Sequence, residues 1–186
     1  MRKLIYAINL TIDGCFDHTS VNPDDELLEY YSALLQDAGL LLYGRKTYQL
    51  MVPYWPEVAK NPAGETDADV RFARVFTQCD KVVVSRTLER GEEPATRIIR
   101  DHLPEETMKL KREPGKNILT GGVDLPSQLI EWGLVDEYYF VVHPVIAGEG
   151  RRLMEGISVQ KKLRLKLTSS RAFASGGMAL HYRNAD

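Results

Sequence analysis

Apolar residues along this chain come in short blocks separated by polar turns, and the spacing within the blocks switches between strand-like and helical. Lys3 to Leu10 is a compact apolar run ending at Thr11-Ile12-Asp13-Gly14, where Asp-Gly marks a turn, so it predicts a buried first strand. After Asn22-Pro23-Asp24-Asp25 the spacing becomes helical, with Leu27, Leu28, Tyr31, Leu34 and Leu35 on one face and Gly39 as the stop. Leu40 to Tyr43 predicts a second strand, and Gly44 to Met51 a helix that starts directly at its end. Val52 to Asp67 holds Pro53, Pro56, Pro62 and Gly64 and reads as a long surface loop, followed by a helix over about Asp69 to Thr77.

The pattern then repeats. Lys81 to Val84 is a third strand, Glu89 to Pro94 a charged connection, Arg97 to Ile99 a short strand and Pro104 to Arg112 a helix. Asn117 to Leu119 is a strand leading into Thr120-Gly121-Gly122, with a helix through Leu129 to Trp132. The end is strand-rich: Glu137 to His143, Leu163 to Thr168 and Met178 to Arg183, with Ser175-Gly176-Gly177 as a turn. Strands alternating with helices and then following one another predict an α/β domain. Its twisted sheet is mostly parallel with flanking helices, and its antiparallel strands come from the C-terminal end. No internal repeat or boundary divides residues 1–186, so one domain is expected.

Composition narrows the partners. The 24 basic and 26 acidic residues give a net charge of −2, without the basic stripe that nucleic acid or anionic lipid would favour, so a small-molecule partner is expected. Asp13 interrupts the N-terminal apolar run before it reaches the length of a signal segment. No later stretch approaches the roughly 18 apolar residues of a membrane span, so a cytoplasmic location is expected. Cys15 and Cys79 form no CxxC, and neither a zinc site nor a disulfide is expected of them.

Ligands of open α/β sheets bind outside the carboxyl ends of the strands, and three such ends carry unusual residues. Gly44-Arg45-Lys46-Thr47 joins a tight turn to a helix start and a guanidinium, which suits phosphate; a helix cap with a solvated basic face is the alternative. Ser85-Arg86-Thr87 flanks a guanidinium with hydroxyls, as a phosphomonoester would require; a polar turn is the alternative. Gly121-Gly122 removes side-chain bulk where a pyrophosphate would approach backbone. Neither GxGxxG nor GxxxxGK[ST] occurs, so neither common phosphate-binding fingerprint is present. One elongated anionic ligand across the strand ends accounts for all three.

These segments follow one another in a familiar order. Thr11 to Gly14, Leu42 to Tyr48, Val83 to Leu88, Leu119 to Gly122, Gly133 to Glu137 and Pro144 to Gly150 resemble successive motifs of the dihydrofolate reductase-like family related to the C-terminal reductase domain of the riboflavin-biosynthesis deaminase-reductase. The resemblance implies NADPH over the strand ends and often a homodimer. It places Gly44, Arg45 and Thr47 at the cofactor phosphates, Ser85, Arg86 and Thr87 at the 2′-phosphate, and Gly121 and Gly122 towards the pyrophosphate and nicotinamide. Asp13 matches the family's Asp-Gly and would orient a ring nitrogen near the nicotinamide, a catalytic position; a plain turn aspartate is the alternative. Met154 stands where the family often has phenylalanine.

The substrate side is less determined by the residues. Tyr48 and Trp55, with Tyr54, are candidates for the wall of a pocket for a flat heterocycle, or else core anchors. His143 is a candidate proton donor or a structural histidine. Asp24, Asp25, Glu26 and Glu29 crowd the first helix start, where acids are favoured in any case. No HxE pairs with PCxxC, so zinc-dependent deamination is not expected. The expected activity is an NADPH-dependent reductase acting on a small pterin- or pyrimidine-like heterocycle or a carbonyl compound. The alternative is a non-catalytic nucleotide-binding or ligand-sequestering protein that has the groove without the chemistry.

Overall fold

The computed structural model describes residues 1–16, 23–93, 95–155 and 162–185; Asn22 and Pro94, placed above in a helix start and a charged connection, lie outside them. Strand β1 (Leu4–Thr11) is followed by α1 (Asp25–Asp37), β2 (Ala38–Gly44), α2 (Arg45–Met51), α3 (Tyr54–Lys60), α4 (Asp67–Gln78) and β3 (Asp80–Val84). Then come β4 (Arg97–Ile99), α5 (Leu103–Arg112), β5 (Asn117–Thr120), α6 (Asp124–Glu131), β6 (Glu137–His143), β7 (Leu165–Ala172) and β8 (Met178–Asn184).

The eight strands form one sheet in the order β4-β3-β2-β5-β1-β6-β8-β7. The first six are parallel, β8 adds antiparallel to β6 and β7 adds antiparallel to β8, as the block pattern predicted. Both faces of the parallel part are covered, which explains why its strands read as unbroken apolar runs. On one face Ile5, Leu41, Tyr43 and Val83 pack against Leu28 and Leu35 of α1, Trp55 of α3 and Phe72 and Phe76 of α4. On the other Leu4, Tyr6, Leu42 and Ile118 pack against Leu110 of α5 and Leu129 of α6.

Two elements differ from the sequence expectation. The stretch 52–67 is not a plain loop, because α3 forms inside it and buries Trp55 and Val58. Pro56 is tolerated there because it occupies the first helical turn, where backbone N–H groups have no partner within the helix. The next-to-last strand starts at Leu165 and continues to Ala172. It is the sheet's edge and is exposed along almost its whole length, so the apolar alternation that marks a half-buried strand is absent.

The β3–β4 connection is tied down by two groups. Tyr48, fully buried on α2, has its Oη 2.9 Å from Thr96 Oγ1 and accepts from the backbone N–H of Glu92 at 2.8 Å. Lys81, buried beneath the same connection, donates to the Thr77 carbonyl, pairs with Glu93 at 3.3 Å and lies over the Phe76 ring. These contacts fix the segment that leaves the end of β3 and so position Ser85 and Arg86.

Candidate functional site

The ends of β4, β3, β2 and β5 are consecutive in the sheet. At a strand spacing of roughly 4.8 Å they span about 14 Å, far more than one phosphate group needs. Above them lies a cleft of about 720 Å³, in the upper part of the roughly 300–1,000 Å³ range of small-molecule sites.

Seven of the eight residues expected at a cofactor line this cleft: Gly44, Arg45, Thr47, Ser85, Arg86, Gly121 and Gly122. Thr87, exposed one residue further along, is outside the lining. The register explains the convergence. Gly44 pairs with Val84, so Ser85 follows immediately, and Leu42 pairs with Thr120, so Gly121 and Gly122 leave β5 beside Gly44. Neither α2, after Gly44, nor α6, after Val123, has a side chain capping its first turn, so backbone N–H groups at both starts lack a side-chain cap.

Sequence reasoning missed several lining residues. Arg100, Asp101 and His102 extend the cleft at the end of β4, and Arg151 and Phe16 close its far side. The first three were within reach of the rule applied to the other strands, because they directly follow Arg97 to Ile99. His102 has φ of +52°, a conformation that costs a non-glycine residue energy and clusters at functional sites. Arg151 donates to Asp124 at 2.8 Å and lies 5.5 Å from the Phe16 ring, a contact made only by the folded chain.

The cleft is cationic on balance. Arg45, Lys46, Arg86, Arg100 and Arg151 face Asp101 and Asp124, and Asp124 is already engaged by Arg151 and, at 4.0 Å, by Lys46. Ser85 Oγ accepts from the N–H groups of Thr87 and Leu88, which leaves its hydroxyl hydrogen to donate. Gly122 has φ of +82°, and a Cβ there would collide with Thr47 Oγ1. A Cβ on Gly121 would lie 3.4 Å from the Ala7 carbonyl oxygen. Gly122 is therefore constrained by its own backbone angle and by Thr47, whereas the contact at Gly121 is close to an ordinary van der Waals one. These features fit an elongated anionic group.

The other expected site residues are elsewhere. Tyr48 and Trp55 are core residues: Trp55 packs on Phe72 with ring centroids 4.4 Å apart, and neither side chain lines the cleft. Tyr54 is half-exposed against Trp55. Asp13 accepts from Thr11 Oγ1 at 2.6 Å and from the N–H groups of Ala147 and Gly148 at 3.1 and 3.0 Å. The Thr11 hydroxyl and then those N–H groups hold its carboxyl well below the usual carboxylate range, so it stays ionised and ties the turn after β1 to the segment after β6. His143 is buried, and burial pushes its pKa down. Met154, at φ of +63°, packs against the α5/α6 side of the core.

Cys15 and Cys79 are both free and buried. Among the described residues no group of three or more His, Cys, Asp or Glu is placed to hold a metal ion, and no helix is long and apolar enough to cross a membrane.

Comparison with known proteins agrees with this geometry. The family model of the RibD C-terminal domain matches residues 2–179. The protein YyaP of Bacillus subtilis (strain 168), itself uncharacterized, is 33% identical over 185 residues, covering 97% of this chain and 94% of its own. A putative riboflavin biosynthesis protein from Shewanella sp. PV-4 superposes with a TM-score of 0.72 at 17% identity over 99% of both chains. Dihydrofolate reductase from Enterococcus faecalis, solved in complex with NADP(H) and RAB-propyl, superposes with a TM-score of 0.64 at 14% identity, covering 99% of this chain and 97% of its own. The fold is therefore that of dihydrofolate reductase.

Proposed function

The chain belongs to the RibD C-terminal domain family, and from that premise we propose that it binds NADPH in the cleft and reduces a small heterocyclic or carbonyl-containing substrate. The observation that carries this reading is the meeting of three separately expected strand ends, at Gly44, Ser85 and Gly121, in one cationic cleft. The dinucleotide complex of the Enterococcus faecalis enzyme, which shares the fold, supports it.

Arg45, Thr47 and the start of α2 would hold the phosphates near the middle of the sheet. Ser85 and Arg86, with Thr87 at the margin, would grip a 2′-phosphate, with Arg100 joining them from β4. The backbone at Gly121 and Gly122 would receive the ribose and nicotinamide end. Bound there, NADPH supplies a hydride from its nicotinamide C4. The protein would align the acceptor carbon at near-attack distance and exclude water, while the acceptor heteroatom takes a proton from solvent or a nearby acid. Asp13 would act from outside the cleft, by holding the 144–150 segment against the end of β1.

A soluble cytoplasmic homodimer without nucleic-acid or membrane partners completes the reading. The apolar face of β6, β8 and β7 bearing Leu167 and Met178, 49% and 39% exposed, would meet a second copy.

The test is a titration with NADPH and NADH, followed by the near-ultraviolet absorbance of NADPH with pterin, pyrimidine and quinone substrates. Tight NADPH binding with substrate-dependent oxidation is expected. Binding without oxidation of any substrate would favour a ligand-sequestering protein, and no binding would remove the cofactor reading.

A further inference from the structure

The connection between β3 and β4 carries Ser85 and Arg86, and its described residues form neither helix nor strand. Its backbone N–H groups therefore find partners outside a regular ladder, and those partners decide how firmly Arg86 is held. The Ser85 N–H donates to the Ile99 carbonyl at 2.9 Å, and Leu88 packs against the core on the α1 face, which fixes the first limb.

Beyond Leu88 the connection is held from two sides. From the surface, exposed Arg100 donates to the carbonyls of Arg86 and Glu89, both at 3.3 Å. From the core, the Tyr48 phenol accepts from the Glu92 N–H at 2.8 Å and, less closely, from the Glu93 N–H at 3.4 Å. The same oxygen lies 2.9 Å from Thr96 Oγ1, and because it already accepts from the backbone, its own hydrogen is assigned to Thr96. Gly91 completes the arrangement: a Cβ there would overlap the Thr96 side chain, so the backbone rests on the residue that Tyr48 holds.

The two holds are unequal. Arg100 makes long bonds in contact with water and lines the cleft, where an anion competes for its donors. Tyr48 is fully buried and lies outside the lining, so its hold does not depend on what occupies the cleft. It also shares a helix with the other end of the site. Arg45 and Thr47 of α2 line the cleft and Thr47 abuts Gly122, while Tyr48, the next residue, reaches the β3–β4 connection. One short helix thus relates the position of Gly122 to that of Arg86.

We infer that Tyr48 is a positioning residue for cofactor selectivity: its hydroxyl, through Glu92 and Thr96, holds the β3–β4 connection where Arg86 meets a 2′-phosphate. Tyr48 touches no ligand itself. The inference rests on the cofactor reading, because the 2′-phosphate is the group that distinguishes a placed Arg86 from a displaced one. Without the hydroxyl the connection loosens and NADPH loses its advantage, while NADH, which lacks that phosphate, is held as before.

The test is calorimetric titration of the full chain with NADPH and with NADH, for the wild type, Tyr48→Phe, Thr96→Val, Arg86→Ala and the double variant Tyr48→Phe with Arg86→Ala. Tyr48→Phe is expected to lower the NADPH-over-NADH preference by about threefold to tenfold, the scale of one hydrogen bond, with NADH affinity unchanged. Thr96→Val removes a bond of the same set from the loop side without altering the core, and is expected to act in the same direction. It decides the matter where Tyr48→Phe does not fold. In the Arg86→Ala background Tyr48→Phe is expected to change the preference no further, because the two residues act as a unit. A purely structural Tyr48 lowers the melting midpoint without moving the ratio. The inference is overturned by an unmoved ratio, by equal weakening of both dinucleotides, or by an undiminished Tyr48→Phe effect in the Arg86→Ala background. A wild type that binds neither dinucleotide removes the cofactor reading and this inference together. A wild type that prefers NADPH, with a ratio that Tyr48→Phe leaves unmoved, overturns this inference alone.

Discussion

The Arg100 guanidinium donates to the backbone carbonyl of Arg86 at 3.3 Å, so the side chain at the end of β4 braces the main chain at the end of β3. Arg86 itself stays exposed at the cleft with its side chain free to meet a ligand. Arg86→Ala is expected to weaken NADPH by roughly tenfold to a hundredfold, the loss of a charge-assisted hydrogen bond, while NADH binding changes little. Parallel titrations with the two cofactors check this, and an equal loss for both would remove the 2′-phosphate assignment.

Gly122 and Gly121 are expected to differ. Valine at 122 would be strained at φ of +82° and would meet Thr47, a cost of about 1–3 kcal/mol, or roughly 2–12 °C in melting midpoint. Alanine at 121 has an ordinary backbone angle and meets the Ala7 carbonyl at about van der Waals distance, so its midpoint should fall less. Thermal melts with NADPH titrations of both variants decide. Unchanged midpoints in both would show that the packing constraint described here is not felt.

His143 gives stability a pH dependence of known sign. Burial holds its folded pKa below the unfolded value of about 6.5, so the unfolded chain binds the extra proton first. Its contribution is complete above about pH 6.5 and is lost as pH falls towards the folded pKa. Urea melts between pH 7 and 5 should show declining stability in the wild type and a shallower decline in His143→Gln.

Asp13 has the carboxylate form of the same linkage. Its depressed pKa means that the stabilisation is present above the ordinary value of about 3.9 and disappears on acidification below it. Asp13→Asn should lower the melting midpoint at neutral pH, and the gap to wild type should close in acid. A constant gap across that range would show that the charge is not what holds the 144–150 segment.

Light scattering should return twice the 21.1 kDa chain mass. Leu167→Glu with Met178→Glu should return the single mass with the far-ultraviolet circular dichroism spectrum retained. A wild-type chain that runs at the single mass would remove the homodimer.

The parallel core and the three strand ends that meet in the cleft were legible because burial on both faces writes strands as apolar runs and because glycine, arginine and hydroxyl residues mark the turns after them. The helix at Tyr54–Lys60 was hidden by prolines that the first helical turn accommodates. Tyr48 was misplaced for a geometric reason: one residue along a helix turns about 100°, so its neighbour Thr47 faces the cleft while Tyr48 faces the core. Arg151 and the cluster of Asn9, Tyr31 and His143 come from distant segments, and only the assembled sheet brings them to their places.

The central position of β1 also orders events during synthesis. Its only neighbours are β5 and β6, so Leu4 waits for Ile118 and Thr11 waits for His143. A ribosome delivers the amino-terminal part first, and until the sixth strand has emerged that part carries an apolar ribbon with two open edges. The chain therefore cannot mature in halves. A release or cut before residue 143 is expected to leave β1 without its β6 partner, an exposed apolar edge that favours aggregation.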